Sequence, residues 1–361
     1  MSDKIITPKI QIQISKSLNY TPFYIKWLPY STKLVIVGQT DSSKGIIQIY
    51  HLIKGKLDLE SEFIKENPLK CCSFGASSFA SRDLALGDFE GNFQIFDLEK
   101  GMPNYEIKKA HKSMIYTIDA VGGNMNYGTP EVVTGGKDGI VKVWDLRGDK
   151  PVILLEPKGI EKNNPECWSV AYGGCFNKEE RNLGIGYDNG DIKIYDLRMD
   201  KLIYGENFKS GICSIEFDKK NIPLNKMLAS TLDSKIYLFD LKNFEKNNNL
   251  RYEKLSDEIN YTTYWGTKFI PQKRDLFISM GGDGSLNLYK YNDNDNDNDL
   301  NYTEEYNKNK KNEKITLINS NIICTQPIIG FDWHNTKLGL SCLVAFDRTV
   351  KICTMNKLNM I

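Results

Sequence analysis

The sequence predicts an all-β fold, a seven-bladed β-propeller whose ring is closed by an N-terminal strand completing the last blade. Three observations lead there. A strand-like run ending in an aromatic residue or its stand-in recurs seven times, closing at Tyr50, Phe96, Trp144, Tyr195, Phe239, Tyr289 and Cys353. The successive spacings are 46, 48, 51, 44, 50 and 64 residues. That period suits a four-stranded blade, because solenoid repeats are shorter and heptads make coiled coils. Finally, a polar residue stands six positions before each closing residue: Lys44, Glu90, Asp138, Asn189, Asp233, Asp283 and Asp347.

The elements follow in chain order. Ile10, Ile12 and Ile14 alternate with Gln11 and Gln13, so residues near 9–14 form one strand ahead of the first full unit. The chain stops just after its seventh inner hairpin, which leaves that strand to supply the outer edge of the last blade. The clearest repeats are LALGDFEGNFQIFDL (Leu84–Leu98), VVTGGKDGIVKVWDL (Val132–Leu146), LGIGYDNGDIKIYDL (Leu183–Leu197) and MLASTLDSKIYLFDL (Met227–Leu241). After the polar turn residue come Gly45, Gly91, Gly139, Gly190, Ser234, Gly284 and Arg348, where a tight hairpin calls for positive φ. Ile140-Val141-Lys142-Val143-Trp144 then alternates with the period of two of a strand with one buried face. The long last spacing contains NDNDNDNDLNYTEEYNKNKKNE (292–313), nearly devoid of apolar residues and read as a disordered low-complexity insertion before the last blade. The expectation is one propeller domain over 1–361.

Composition narrows the function classes. Of 361 residues 40% are hydrophobic, enough for a ring of seven small cores, and 47 basic residues balance 46 acidic ones for a net charge of +1. No overall field draws such a chain to nucleic acid or to a membrane. MSDKIITPKIQIQ lacks the apolar stretch of a signal peptide and no segment has the length of a membrane span, so a cytoplasmic location is expected. Eight cysteines (71, 72, 167, 175, 213, 324, 342 and 353) include no C-x-x-C pair and read as buried thiols rather than as a disulfide or zinc framework.

The copies VVTGGKDGIVKVWDL and LGIGYDNGDIKIYDL resemble the WD-repeat family. Segments between the repeats are more distinctive: NYTPFYIKWLP (Asn19–Pro29), PLKCCSFGASS (Pro68–Ser78), GTPEVVTGGKDGIVKVWDLR (Gly128–Arg147), GYDNGDIKIYDLR (Gly186–Arg198), CSIEFDKKNI (Cys213–Ile222) and TTYWGTKFIPQKRDLF (Thr262–Phe277). They are similar to the monad-type WD-repeat family of axonemal dynein assembly factors, in register from about residue 9 to the C-terminus except across 292–313. The resemblance implies a non-enzymatic scaffold or adaptor acting with co-chaperone machinery in cytoplasmic preassembly of axonemal dynein arms. Implied protein partners are the RuvB-like ATPase and prefoldin-like co-chaperone complex, including its tetratricopeptide subunit, and the dynein heavy and intermediate chains. Apoptosis regulation in animals is also associated with the family. It supplies no catalytic residue, no cofactor and no metal, and a monomeric propeller is expected.

Four constellations test that expectation. His111, Thr134, Asp138 and Trp144 could be mistaken for a nucleophile, base and acid, but they fit the hydrogen-bonded structural tetrad of WD-repeat blades. TGGKDG (Thr134–Gly139) and GGDG (Gly281–Gly284) lack the Ser or Thr and the following helix of a phosphate loop, and read as hairpin turns. Asp293, Asp295, Asp297, Asp299 and Glu304 fall at calcium-loop spacing, yet the central Gly is replaced by Asn298 and the Asn-Asp repeat generates the spacing by itself. The start of each blade's innermost strand places Phe23, Lys70, Tyr116, Trp168, Cys213, Trp265 and Ile329 at equivalent positions. In WD-repeat propellers this column surrounds the channel mouth. Phe23, Tyr116, Trp168 and Trp265 are then either plugs or aromatic anchors for a partner, with the turn residues Phe89, Lys137, Tyr187 and Asp188 completing the surface. With one Lys and no acid or His in the column, an enzyme is not expected. A WD-repeat adaptor in another pathway, as a ubiquitin ligase substrate receptor or a ribosome biogenesis factor, is the alternative against which the inter-repeat segments argue.

Overall fold

Each repeat folds into a four-stranded antiparallel sheet, and seven such sheets stand in a ring. The computed structural model describes residues 8–123, 129–157, 164–177, 179–242, 250–256, 262–292 and 314–360. From the axis outward, each of the first six blades takes four strands in chain order. The innermost strands are Thr21–Trp27, Leu69–Ser73, Ile115–Val121, Cys167–Gly173, Ile212–Phe217, Tyr264–Ile270 and, in blade 7, Ile328–Trp333. The outer strand of blade 7 is Lys9–Ser17, paired antiparallel to Thr349–Asn356 from Lys9 opposite Asn356 to Ser17 opposite Thr349. The N-terminal strand thus closes the ring as its alternation predicts. A bulge at Gln13 interrupts that alternation, so Ile10 packs into the core shared with blade 6 while Ile14, beyond the bulge, packs against the core shared with blade 1.

The apolar core lies between neighbouring blades, not at the axis. Cys71, Ala85, Phe93 and Ile95 of blade 2 form one cluster with Ile115, Val132 and Trp144 of blade 3, the Phe93 and Trp144 rings 5.6 Å apart. The closing residues Tyr50, Phe96, Trp144, Phe239, Tyr289 and Cys353 are buried there. Tyr195 is half-buried because its hydroxyl reaches out to donate to Asp200 at 2.7 Å.

The polar turn residues act through a shared geometry. The side-chain oxygens of Asp138, Asn189, Asp283 and Asp347 accept the N–H two residues on at 3.1, 3.0, 2.9 and 3.1 Å. Such Asx turns let a short polar side chain imitate the backbone. In blade 2 the role falls to Asp88, which accepts from Glu90 and Asn92, instead of to Glu90. Positive φ follows at Gly91, Gly139, Gly190, Ser234, Gly284 and Arg348. Blade 1 departs from the expectation. Its turn has the same length but lies two residues farther from the closing Tyr50, so Ser43 carries the positive φ of 60° and Gly45 opens the third strand. Glycine is required there by proximity, since a Cβ would lie 2.1 Å from the Asn67 carbonyl oxygen.

All eight cysteines are free thiols, seven of them buried. The 292–313 insertion enters inside blade 6, between its third strand Ser285–Tyr291 and its fourth Ile315–Ile322, and Asn292 N–H donates to the Lys314 carbonyl at 2.9 Å. The run from 293, with the calcium-spaced Asp293, Asp295, Asp297, Asp299 and Glu304, lies outside the described residues.

Candidate partner-docking mouth

Every innermost strand carries a register shift at the same place. Its pairing to the second strand skips Phe23, Lys70, Tyr116, Trp168, Cys213, Trp265 and Ile329 in blades 1 to 7. A β-bulge leaves one residue outside the ladder and turns its side chain out of the sheet. Next to the bulge, in six blades, the N–H of the residue before the polar turn position donates to the carbonyl two residues before the bulge. These bonds are Phe89 to Pro68 (3.0 Å), Lys137 to Met114 (2.8 Å), Asp188 to Glu166 (3.0 Å), Leu232 to Gly211 (3.0 Å), Gly282 to Thr263 (2.9 Å) and Phe346 to Pro327 (3.1 Å). The strand is thereby pinned on both sides of the bulged residue. All seven bulged side chains line a central channel of about 590 Å³, within the size range of ligand and peptide pockets.

The rim has two chemically distinct sides. On the blade 1 side Phe23 packs against Phe89 (5.3 Å) and Phe346 (6.4 Å), and Lys70 Nζ lies 5.0 Å from the Phe23 ring centre. Burial pushes the Lys70 ammonium below its ordinary pKa. On the blade 3 and 4 side Trp168 Nε1 donates to Glu166 at 3.1 Å, and Lys137 stands 3.9 Å from the same carboxylate. Burial, then a hydrogen bond to Glu166 and the charge of Asp188, pushes Tyr116 up to about 12. Asp188 accepts the Glu166 N–H at 2.9 Å, and burial together with Glu166 lifts its carboxyl above the usual range. Trp265 and Phe346 are the most open rim aromatics, each 41% exposed.

Sequence reasoning missed Phe346, although it precedes Asp347 as Phe89 precedes Glu90. It also misplaced Tyr187. That residue is 1% exposed and packs with Val133, Val141 and Cys167 between blades 3 and 4, so it presents no docking surface. The turn column passes through Asp188, and one residue earlier a strand side chain points to the opposite face.

Three residues past the bulge, a layer of charge crosses the channel. Lys26 pairs with Asp332 at 3.2 Å, Lys268 with Glu216 at 3.3 Å, and Lys220 reaches across to Asp119. Burial opposes the charge on Lys26, yet Asp332 and the other acids outweigh it and hold the ammonium well above its ordinary range. Burial wins at Glu216, whose carboxyl rises despite Lys268 and Lys26. The acids and hydroxyls of this region also bond the blades to one another. Asp332 accepts Trp27 N–H (2.9 Å), Asp119 accepts Tyr172 N–H (2.9 Å), Ser169 accepts Ile215 N–H (2.7 Å) and Ser214 accepts Thr267 N–H (3.0 Å). An innermost strand is a sheet edge, and these bonds satisfy donors that the sheet leaves unpaired.

In blade 3, Asp138 Oδ1 lies 3.0 Å from His111 Nδ1, His111 Nε2 lies 2.7 Å from Thr134 Oγ1, and Trp144 Nε1 donates to Thr134 Oγ1 at 2.9 Å. With the proton on Nδ1, every donor in this series meets an acceptor. His111, Thr134 and Trp144 are buried, so the hydroxyl has no access to a substrate. Gly136 to Gly139 form the connecting hairpin with no helix after them.

A ring of seven four-stranded blades, with hairpin Asx turns on one face and bulged residues around the axis, is a β-propeller of the WD-repeat type. Comparison with known proteins narrows this. The chain is 40% identical to dynein axonemal assembly factor 10 of Homo sapiens over 366 residues, covering 98% of each protein. It is 38% identical to the protein of that name from Chlamydomonas reinhardtii over 363 residues, again 98% of each. The Dictyostelium discoideum protein is 28% identical over 372 residues, 94% of this chain and 93% of that one. The chain belongs to the dynein axonemal assembly factor 10 family. No protein-family model matches it.

Proposed function

We propose that this propeller is a non-enzymatic adaptor in the cytoplasmic preassembly of axonemal dynein arms. Its partners in that role are a RuvB-like ATPase and prefoldin-like co-chaperone complex on one side and dynein chains on the other. The observation carrying the proposal is near full-length similarity to assembly factors from animals and an alga, joined to a rigid ring with separate faces. A rigid scaffold that holds a chaperone subunit and a client together raises their effective concentration without chemistry of its own. Phe23, Tyr116, Trp168 and Trp265, with Phe89, Lys137 and Asp188 around them, form the docking surface in this reading, because half-buried aromatics in a concave site are typical binding anchors.

Affinity purification from cells building flagella, read by mass spectrometry, tests the proposal. RuvB-like ATPases and dynein chains should be recovered with the wild-type chain and depleted with Trp168→Ala/Trp265→Ala. Recovery of cullin or ribosomal partners in their place would overturn it.

A further inference from the structure

At the rim of the channel, Lys70 carries a charge that no other described residue answers. Glu166 is engaged by Trp168 Nε1 and Lys137, and Asp188 by the Glu166 N–H. Lys70 has neither a hydrogen bond nor an ion pair among the described residues, and its one partner is the face of Phe23. It sits half-buried at a bulge, beside Phe23 and its neighbours Phe89 and Phe346. A cation–π contact offsets part of the desolvation of an ammonium, while a carboxylate offsets far more.

Resting on the reading of the mouth as a docking site, we propose that it takes an acidic protein segment. An aromatic or aliphatic side chain of the partner enters among Phe23, Trp168, Trp265 and Phe346, and a neighbouring Asp or Glu carboxylate bonds Lys70 Nζ. The sign of the two sides sets the direction of the segment. Its acid faces blades 1 and 2, where Lys70 is the uncompensated group. The carboxylates of Glu166 and Asp188 repel acid from blades 3 and 4.

Selection of a phage-displayed random peptide library on the full chain tests this, with binding of synthetic copies measured by fluorescence polarisation. The expected winners place Asp or Glu within a few residues of an aromatic and lose binding to Trp168→Ala/Trp265→Ala. Replacing that acid by its amide should weaken binding to the wild-type protein about tenfold, as expected for one charge-assisted hydrogen bond in a partly desolvated site. The same replacement should have little effect on Lys70→Met, whereas Lys70→Arg should retain the preference for acid. The peptide-side change is read on wild-type protein, so the test survives if Lys70→Met fails to fold. Winners that depend on the two tryptophans but carry no acid, tolerate its loss or prefer Lys and Arg would overturn the inference and leave the docking site standing. If no peptide depends on those tryptophans, the docking site falls as well.

Discussion

Thr134→Val isolates the central hydroxyl of blade 3. The side chain is fully buried and its Oγ1 serves two partners, accepting from Trp144 Nε1 at 2.9 Å and meeting His111 Nε2 at 2.7 Å. Valine keeps the shape but strands both, one donor and one acceptor, and its methyl group fills the place of the hydroxyl. Each orphaned buried group costs about 1–3 kcal/mol, so the substitution should cost about 3 kcal/mol. That is a large fraction of the roughly 5–15 kcal/mol that holds an ordinary domain together. Urea unfolding followed by circular dichroism and tryptophan fluorescence measures it, provided the two transitions coincide. A cycle with Trp144→Phe adds a sharper check. Phenylalanine removes the donor that the valine would leave unmet, so the double variant should cost about 1 kcal/mol less than the two singles added together. A Thr134→Val midpoint within about 0.5 kcal/mol of wild type, or strict additivity, would show that the hydroxyl is not a shared partner.

Further outcomes follow from neighbouring features. A Cβ on Gly136 would lie 2.5 Å from His111 Nδ1, whereas one on Gly148 meets nothing within 4 Å. Gly136→Ala should therefore destabilise by about 1–3 kcal/mol in the same assay and Gly148→Ala by less than about 0.5. Burial alone would raise the Asp138 carboxyl, but bonds from His111 and from the N–H groups of Lys112 and Ile140 outweigh it and hold it below its ordinary range. Folding thus favours the carboxylate: its contribution is complete above the unfolded value near ~4 and is lost as pH falls through the lower folded value. Thermal melts between about pH 5 and pH 3 should fall less steeply for Asp138→Asn than for wild type. Deleting residues 8–17 strips Thr349–Asn356 of its outer neighbour. The exposed edge should give self-association by light scattering and a lower melting midpoint, and a monomer with an unchanged midpoint would contradict the closure argument.

Much of the ring was legible because its signals are local. Period, alternation and turn chemistry each act within one hairpin, so blade count, third strands and the closing N-terminal strand could be read from residue spacing. Legibility failed where contacts come from elsewhere in the chain. Gly45 looks like a turn glycine but is held by the Asn67 carbonyl, because the strands of the blade 1 hairpin run two residues farther before an equally short turn than those of blade 3. Tyr187 and Asp188 are adjacent, yet the strand's period of two sends one into the core and leaves the other at the rim. The charged layer was invisible as a layer, since Lys26, Asp119, Glu216, Lys268 and Asp332 are dispersed over five blades.

The column of bulged residues marks the division. Its seven members could be aligned from the sequence, and so could the similarity carried by the segments around them. Whether those side chains meet is a matter of closing the ring, because only the seventh blade's return to Lys9–Ser17 brings Phe346 and Ile329 around to Phe23. Residue order alone was enough for the repeat, its turns and its family. The shape and charge of the mouth, with Lys70 lacking a carboxylate partner among the described residues, came from the closed ring: burial and electrostatic pairing depend on distances between blades that no single repeat contains.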